Sequence, residues 1–151
     1  RAMTAPTPRA VIDTHASTTA SKNEAAAGTP TTLFTKEGAS LDSSMPDHVR
    51  QVPISSSAAG LDVRQVLMKL GEQGANEILV EAGPKLVGAL EQDNLIDQWL
   101  IYMAPKMLGA DARPTHHAVF DSLGQANCYS IIAHDLIGHD LRIIMRQVAR
   151  D

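Results

Sequence analysis

Apolar and polar positions break the chain into short stretches divided by polar, glycine- or proline-bearing segments. Residues 9–13 (RAVID) predict a short strand, bounded by Pro8 and a polar stretch. Residues 14–28 are rich in Ser, Thr and Ala, lack apolar periodicity and read as a long loop. Residues 31–35 (TTLFT) are β-branched and aromatic and predict a second strand. Residues 36–47, with Gly38 and Pro46, form a loop. Val49–Ile54 alternates and predicts a third strand, where Pro53 suits a sheet edge because it cannot donate to a ladder. Residues 55–60 read as a linker.

Val63, Val66, Leu67 and Leu70 fall at i, i+3, i+4 and i+7, the stripe of a helix capped by Asp62 and ended by Gly71 and Gly74. Residues 77–81 (EILVE) predict a buried strand, and Pro84–Gln92 a helix. Residues 97–104 (DQWLIYMA) are nearly continuous in apolar side chains, which predicts a strand central in its sheet. Residues 109–118 form a loop. Residues 129–136 and 140–148 are joined at Ile137-Gly138-His139, the spacing of a hairpin. Strand–helix–strand alternation in the middle implies parallel pairing through right-handed crossovers, and the closing hairpin makes the sheet mixed. The expected class is α/β.

A length of 151 residues suits one domain with a real core. The net charge of -4, without any basic run, argues against nucleic acid as a partner. No apolar stretch approaches the roughly 20 residues that span a bilayer, and the opening RAMTAPTPRA has no apolar core of a secretory signal. The single cysteine, Cys128, cannot form an internal disulfide, so a reducing cytoplasm is the simplest setting. The chain opens almost directly on Ala10-Val11-Ile12, which reads as a chain entered in its middle, a piece of a longer protein.

The candidate chemistry lies in EILVEAGPKLVGAL, residues 77–90. An apolar strand runs into Glu81-Ala82-Gly83-Pro84. Gly83 permits a backbone angle that other residues resist and a close approach by a ligand. Pro84 suits the first helical position, where its missing N–H costs nothing. The N–H groups of Lys85, Leu86 and Val87 then point out of the helix start, an arrangement that favours phosphate. Gly88 keeps one face of the helix slim enough for a ligand or a strand to lie against it. The spacing alone leaves open a plain strand-to-helix connection, with Glu81 as a solvated strand-end acid. The histidines at 116, 117, 134 and 139 do not stand at metal-ligand spacing with an acid or cysteine. Cys128 has no neighbouring motif that would make it a nucleophile. Lys106 reads as a strand-end lysine, and Trp99 and Tyr102 as core or interface.

VEAGPKLVGAL, followed by LIDQWLIYMAPKMLGADAR, resembles the C-terminal reductase domain of the bacterial riboflavin biosynthesis protein RibD. The matching positions are Gly83, Leu86, Gly88 and Ala89, then Leu95, Asp97, Tyr102, Ala104-Pro105-Lys106, Leu108-Gly109 and Ala112-Arg113. A weaker match extends backward through LDVRQVLMKLGEQGANEILVE to RAVIDTH, and forward through the hairpin.

The resemblance implies a dihydrofolate-reductase-like mixed sheet flanked by helices. It implies NADPH-dependent reduction of 5-amino-6-(5-phosphoribosylamino)uracil to the ribityl phosphate, with hydride delivered to C1′ of the opened sugar. It implies that Gly83, Pro84, Lys85, Leu86, Val87, Gly88 and Ala89 line the NADPH phosphates. Glu81 would contact the pyrimidine, and Thr14 would match a Ser/Thr position that touches NADP. A pyrimidine ribosyl phosphate as substrate, a cytoplasmic location and a homodimer follow in the same way. Gln98 stands where the family usually has Glu. The family's first reductase strands and its zinc-dependent deaminase domain, with His-x-Glu and Cys-x-x-Cys, have no counterpart here, so no catalytic zinc is expected. Two alternatives stand beside this expectation: a related reductase acting on another pyrimidine or pterin-like substrate, and a non-catalytic dimerisation fragment of the same fold.

Overall fold

The structure, a computed structural model, describes residues 7–15, 29–40 and 45–148. It divides into two compact units, Arg1–Asn76 and Glu77–Asp151. Most of the expected loop at residues 14–28, and positions 41–44 of the next one, lie outside the described residues.

In the first unit, β1 (Arg9–Ile12), β2 (Thr31–Lys36) and β3 (Val49–Ile54) form a parallel sheet in the order β1-β2-β3. β2 is central, and Thr31, Leu33, Phe34 and Thr35 are all buried, the signature of a parallel strand covered on both faces. Its buried hydroxyls are satisfied: Gln51 Nε2 donates to Thr35 Oγ1 at 2.8 Å, and Thr31 Oγ1 donates to the Thr29 carbonyl at 3.0 Å. β3 is an edge, as Pro53 predicts. The expected linker at 55–60 instead contributes to a two-stranded antiparallel ribbon, β4 (Ser56–Ser57) with β5 (Gly60–Leu61). Gly60, at φ +125, supplies a backbone angle that a side chain would resist.

Helix α1 (Val63–Glu72) begins where expected, with the Asp62 carboxylate accepting from the Gln65 N–H at 3.0 Å. Gly71 lies inside the helix. Gly74, at φ +91, ends it, and the N–H groups of Gly74 and Ala75 return to the carbonyls of Gly71 and Leu70. Val66 of α1 packs with Phe34, Ile54 and Leu61, and Ile12, Val52 and Leu70 complete this core.

In the second unit, helix α2 (Pro84–Gln92) has the expected bounds. It ends like α1, but with Asn94 in the left-handed position at φ +56. Asn94 N–H reaches the Glu91 carbonyl and Leu95 N–H the Leu90 carbonyl. Beyond it, β6 (Gln98–Met103), β7 (Tyr129–Ile137) and β8 (Asp140–Gln147) form an antiparallel sheet in the order β6-β8-β7. The hairpin turns at Gly138, φ +63, the Gly-first two-residue connection. An irregularity between Ile131 and Ala133 shifts the β7 register. Arg142 holds Asp135 across the hairpin through two parallel bonds of 2.9 Å, Nε to Oδ1 and Nη2 to Oδ2.

Three further expectations are corrected. Residues 77–81 join no ladder among the described residues, and Ile78, Leu79 and Val80 are exposed. An apolar run becomes a strand only where a neighbouring backbone takes up its amides and carbonyls. Residues 97–104 give β6, a strand at the edge of its antiparallel sheet rather than central, and the central place belongs to β8. The parallel ladders lie in the first unit, not in the middle of the chain.

Candidate functional site

Glu81, Ala82 and Gly83 lead into α2 as an exposed segment, Gly83 itself extended, and Pro84 occupies the first helical position. No side chain caps this start. The Val87 N–H donates to the Gly83 carbonyl at 3.2 Å, so it is not free to meet a ligand. The N–H groups of Lys85 and Leu86 find no acceptor among the described residues. They are two of the orphan donors that every helix start presents. Lys85 is exposed beside them. Two N–H groups without an acceptor and the positive end of a helix make a turn that would suit a phosphate, with the Lys85 side chain exposed in the same turn.

The structure narrows what two of the glycines do. Gly83 sits at φ -76 and ψ 169, ordinary extended backbone, so no unusual angle explains a glycine there. What its missing side chain does provide is openness, since a Cβ at Gly83 would meet nothing within 4 Å. Gly88 is buried, and the face it keeps slim is already filled. A Cβ there would lie 2.8 Å from the backbone nitrogens of His117 and Ala118 and 2.9 Å from the His117 carbonyl carbon. The chain's own backbone, not a ligand, lies against Gly88. The His117 N–H also donates to the Pro84 carbonyl at 3.0 Å, tying the same segment to the first turn. Thr14 belongs to the other unit; it follows β1, is half-buried, and its carbonyl accepts from the Lys36 N–H at 3.2 Å.

The C-terminal end of α2 carries a network that the sequence reading missed. Glu91 is only 4% exposed. Its Oε2 accepts from the Tyr129 hydroxyl at 2.7 Å and its Oε1 from Asn127 Nδ2 at 3.1 Å, while the same Nδ2 reaches the Glu91 carbonyl at 2.6 Å. Tyr129 stands edge-on to Trp99, with centroids 6.4 Å apart, and Trp99 meets His116 at 6.1 Å. A buried carboxylate is tolerated because donors surround it. The sequence signal is slight: Glu91 lies one turn beyond Val87 and Gly88, on the side the helix buries. Gln98, where the family pattern has Glu, is exposed and accepts from Arg146 Nη2 at 3.4 Å.

Burial, and then the hydrogen bond to Glu91, push the Tyr129 hydroxyl up to about 12 from its ordinary 10.0. Native Tyr129 thus keeps its proton where an unfolded tyrosine has lost it. Its contribution to stability is fully present below about pH 10 and is lost as pH rises towards 12. In a tyrosinate absorbance titration, Tyr129→Phe should remove the late-ionising component. A curve whose high-pH limb survives that substitution would contradict the assignment.

The model of the RibD C-terminal domain family matches residues 1–133. The riboflavin biosynthesis protein RibD of Escherichia coli is 48% identical over 68 residues, 45% of this chain and 18% of that protein. The 5-amino-6-(5-phosphoribosylamino)uracil reductase of Buchnera aphidicola is 31% identical over 102 residues, 66% of this chain and 49% of that one. The chain thus spans less than half the length of either curated relative. Among solved structures, a Thermotoga maritima deaminase/reductase aligns over 93% of this chain and 38% of its own, with TM-score 0.72 and 17% identity. The Saccharomyces cerevisiae riboflavin biosynthesis reductase covers 96% of this chain and 74% of its own, with TM-score 0.63 and 14% identity. At such identities the likeness speaks for the fold, which is the dihydrofolate-reductase-like α/β fold.

Proposed function

The chain belongs to the RibD C-terminal domain family, and from that premise we propose that it serves NADPH-dependent reduction of 5-amino-6-(5-phosphoribosylamino)uracil to the ribityl phosphate. The observation that carries this reading is the family match over residues 1–133. The name of the Buchnera relative, which is a reductase of that compound, supports it.

The structure of the α2 start is compatible with the cofactor's phosphates. The free N–H groups of Lys85 and Leu86 and the Lys85 ammonium would hold them, with Gly83 keeping the approach open. When bound, NADPH supplies the hydride. Glu81, exposed just before the turn, is an acceptor-only carboxylate that would take hydrogen bonds from the pyrimidine's amino or ring N–H groups. Thr14 is carried over on the resemblance alone. We place the reaction in the cytoplasm; no helix among the described residues is long and apolar enough to cross a membrane.

The test is direct. The purified protein is mixed with NADPH and the ribosylaminouracil phosphate, and loss of NADPH absorbance is followed while the product is identified by mass. Consumption of NADPH that requires this substrate and yields a product heavier by two hydrogens is expected. Turnover only with a different pyrimidine or pterin would transfer the reading to a related reductase. No turnover and no NADPH binding would remove it.

A further inference from the structure

Helix α2 is held at three levels, and every hold comes from the same stretch of chain. At its first turn, the Pro84 carbonyl accepts from the His117 N–H at 3.0 Å. At its middle, Gly88 lets the His117–Ala118 backbone approach so closely that a Cβ would sit 2.8 Å from two backbone nitrogens. At its last turn, Glu91 is gripped by Asn127 and by the Tyr129 hydroxyl. Backbone atoms cannot swing aside as the end of a flexible side chain can. Extra bulk at Gly88 must therefore push the helix and the 117–118 segment apart.

We infer that Gly88 and Glu91 are positioning residues: they seat α2 on the 116–129 segment and so fix where its first turn meets the cofactor's phosphates. This rests on the cofactor reading given under the proposed function. It assigns Gly88 to the geometry of the site and not to contact with the ligand. Glu91 acts eight residues from Gly83 through the rigid body of the helix, which spans about 1.5 Å per residue and transmits a tilt at one end to the other. A displacement of an ångström at a binding group is enough to cost tenfold or more, on the order seen when positioning residues are changed.

Titrating NADPH into the wild-type protein and into Gly88→Ala, following the fluorescence of the bound nicotinamide, reads affinity and number of sites separately. Gly88→Ala is expected to raise Kd about tenfold while the number of sites stays at the wild-type value. An unchanged Kd, with a lower melting temperature or fewer competent sites, is what a merely structural role would give, and overturns the proposal. Glu91→Gln keeps the shape and can still hydrogen-bond, so its Kd should stay within about threefold of wild type, whereas Glu91→Leu should raise it about tenfold. Equal affinities for these two variants overturn the role of Glu91, and this pair carries the test if Gly88→Ala does not fold. Failure of the wild-type protein to bind NADPH overturns the cofactor reading itself and this inference with it. The wild-type titration therefore tells the two failures apart.

Discussion

Replacing Phe34 with alanine should lower the unfolding free energy of the first unit by about 3–5 kcal/mol. Phe34 is fully buried on the central strand β2 and packs against Ile54, Leu61 and Val66, which arrive from β3, β5 and α1. Truncation removes the transfer free energy of a benzyl group. It also leaves a cavity that neighbours on three different elements cannot close by moving together. Small domains are stable by only about 5–15 kcal/mol, so this one change would use up a large share of the margin. Urea unfolding followed by circular dichroism gives the difference. Met68→Ala on α1 is the control, because Met68 is 60% exposed and should cost less than about 0.5 kcal/mol. If the two variants unfold at the same urea concentration, the packing described for this core is wrong.

Replacing Gly83 with glutamate should raise the Kd for NADPH about fivefold or more. Two like charges about 4 Å apart repel by roughly 1–4 kcal/mol across the range of effective dielectric from water to a protein surface, and 1.4 kcal/mol is tenfold. The backbone at Gly83 has ordinary extended angles and a Cβ there meets nothing, so the substitution is sterically free. A carboxylate just before a helix even favours that helix, by about 0.3–1 kcal/mol. The variant should thus keep its melting temperature and lose its ligand, which separates binding from folding. Wild-type affinity in Gly83→Glu would remove the start of α2 as the phosphate site.

Local chemistry made some of this molecule readable from its sequence. α2 appears with the expected bounds because Pro84 marks its first residue. α1 appears because an aspartate caps an apolar stripe, and the terminal hairpin because a glycine divides two β-rich runs. What escaped depends on partners distant in sequence. Residues 77–81 look like a strand by composition, yet no strand among the described residues takes up their hydrogen bonds. The apolar continuity of residues 97–104 suggested a central strand, but the strand buried on both faces is β2, whose Thr31 and Thr35 are polar by composition and hidden by their neighbours.

The same limit applies to the site. The free amides of Lys85 and Leu86 were legible from Gly-Pro before a helix. Val87, counted with them, is already bonded to Gly83. Gly88 signalled a close approach correctly, but nothing in its neighbours told whether a ligand or the chain itself would come close. Glu91 gave almost no sign, because its partners Asn127 and Tyr129 lie 36 and 38 residues away.

The β7–β8 hairpin also bears on how the chain finds its fold. Its strands are joined by Gly138 and His139 alone, whereas residues 13–30 separate β1 from the strand it pairs with. Loop-closure entropy grows with the length enclosed, and parallel pairing cannot begin until such a loop has closed. Pairing of the hairpin therefore asks less of the disordered chain than the parallel sheet does, and β6 can then add to a β8 that is already in place. The parallel sheet has no such head start: its central strand must gather neighbours from both directions along the chain before any of its buried residues is rewarded.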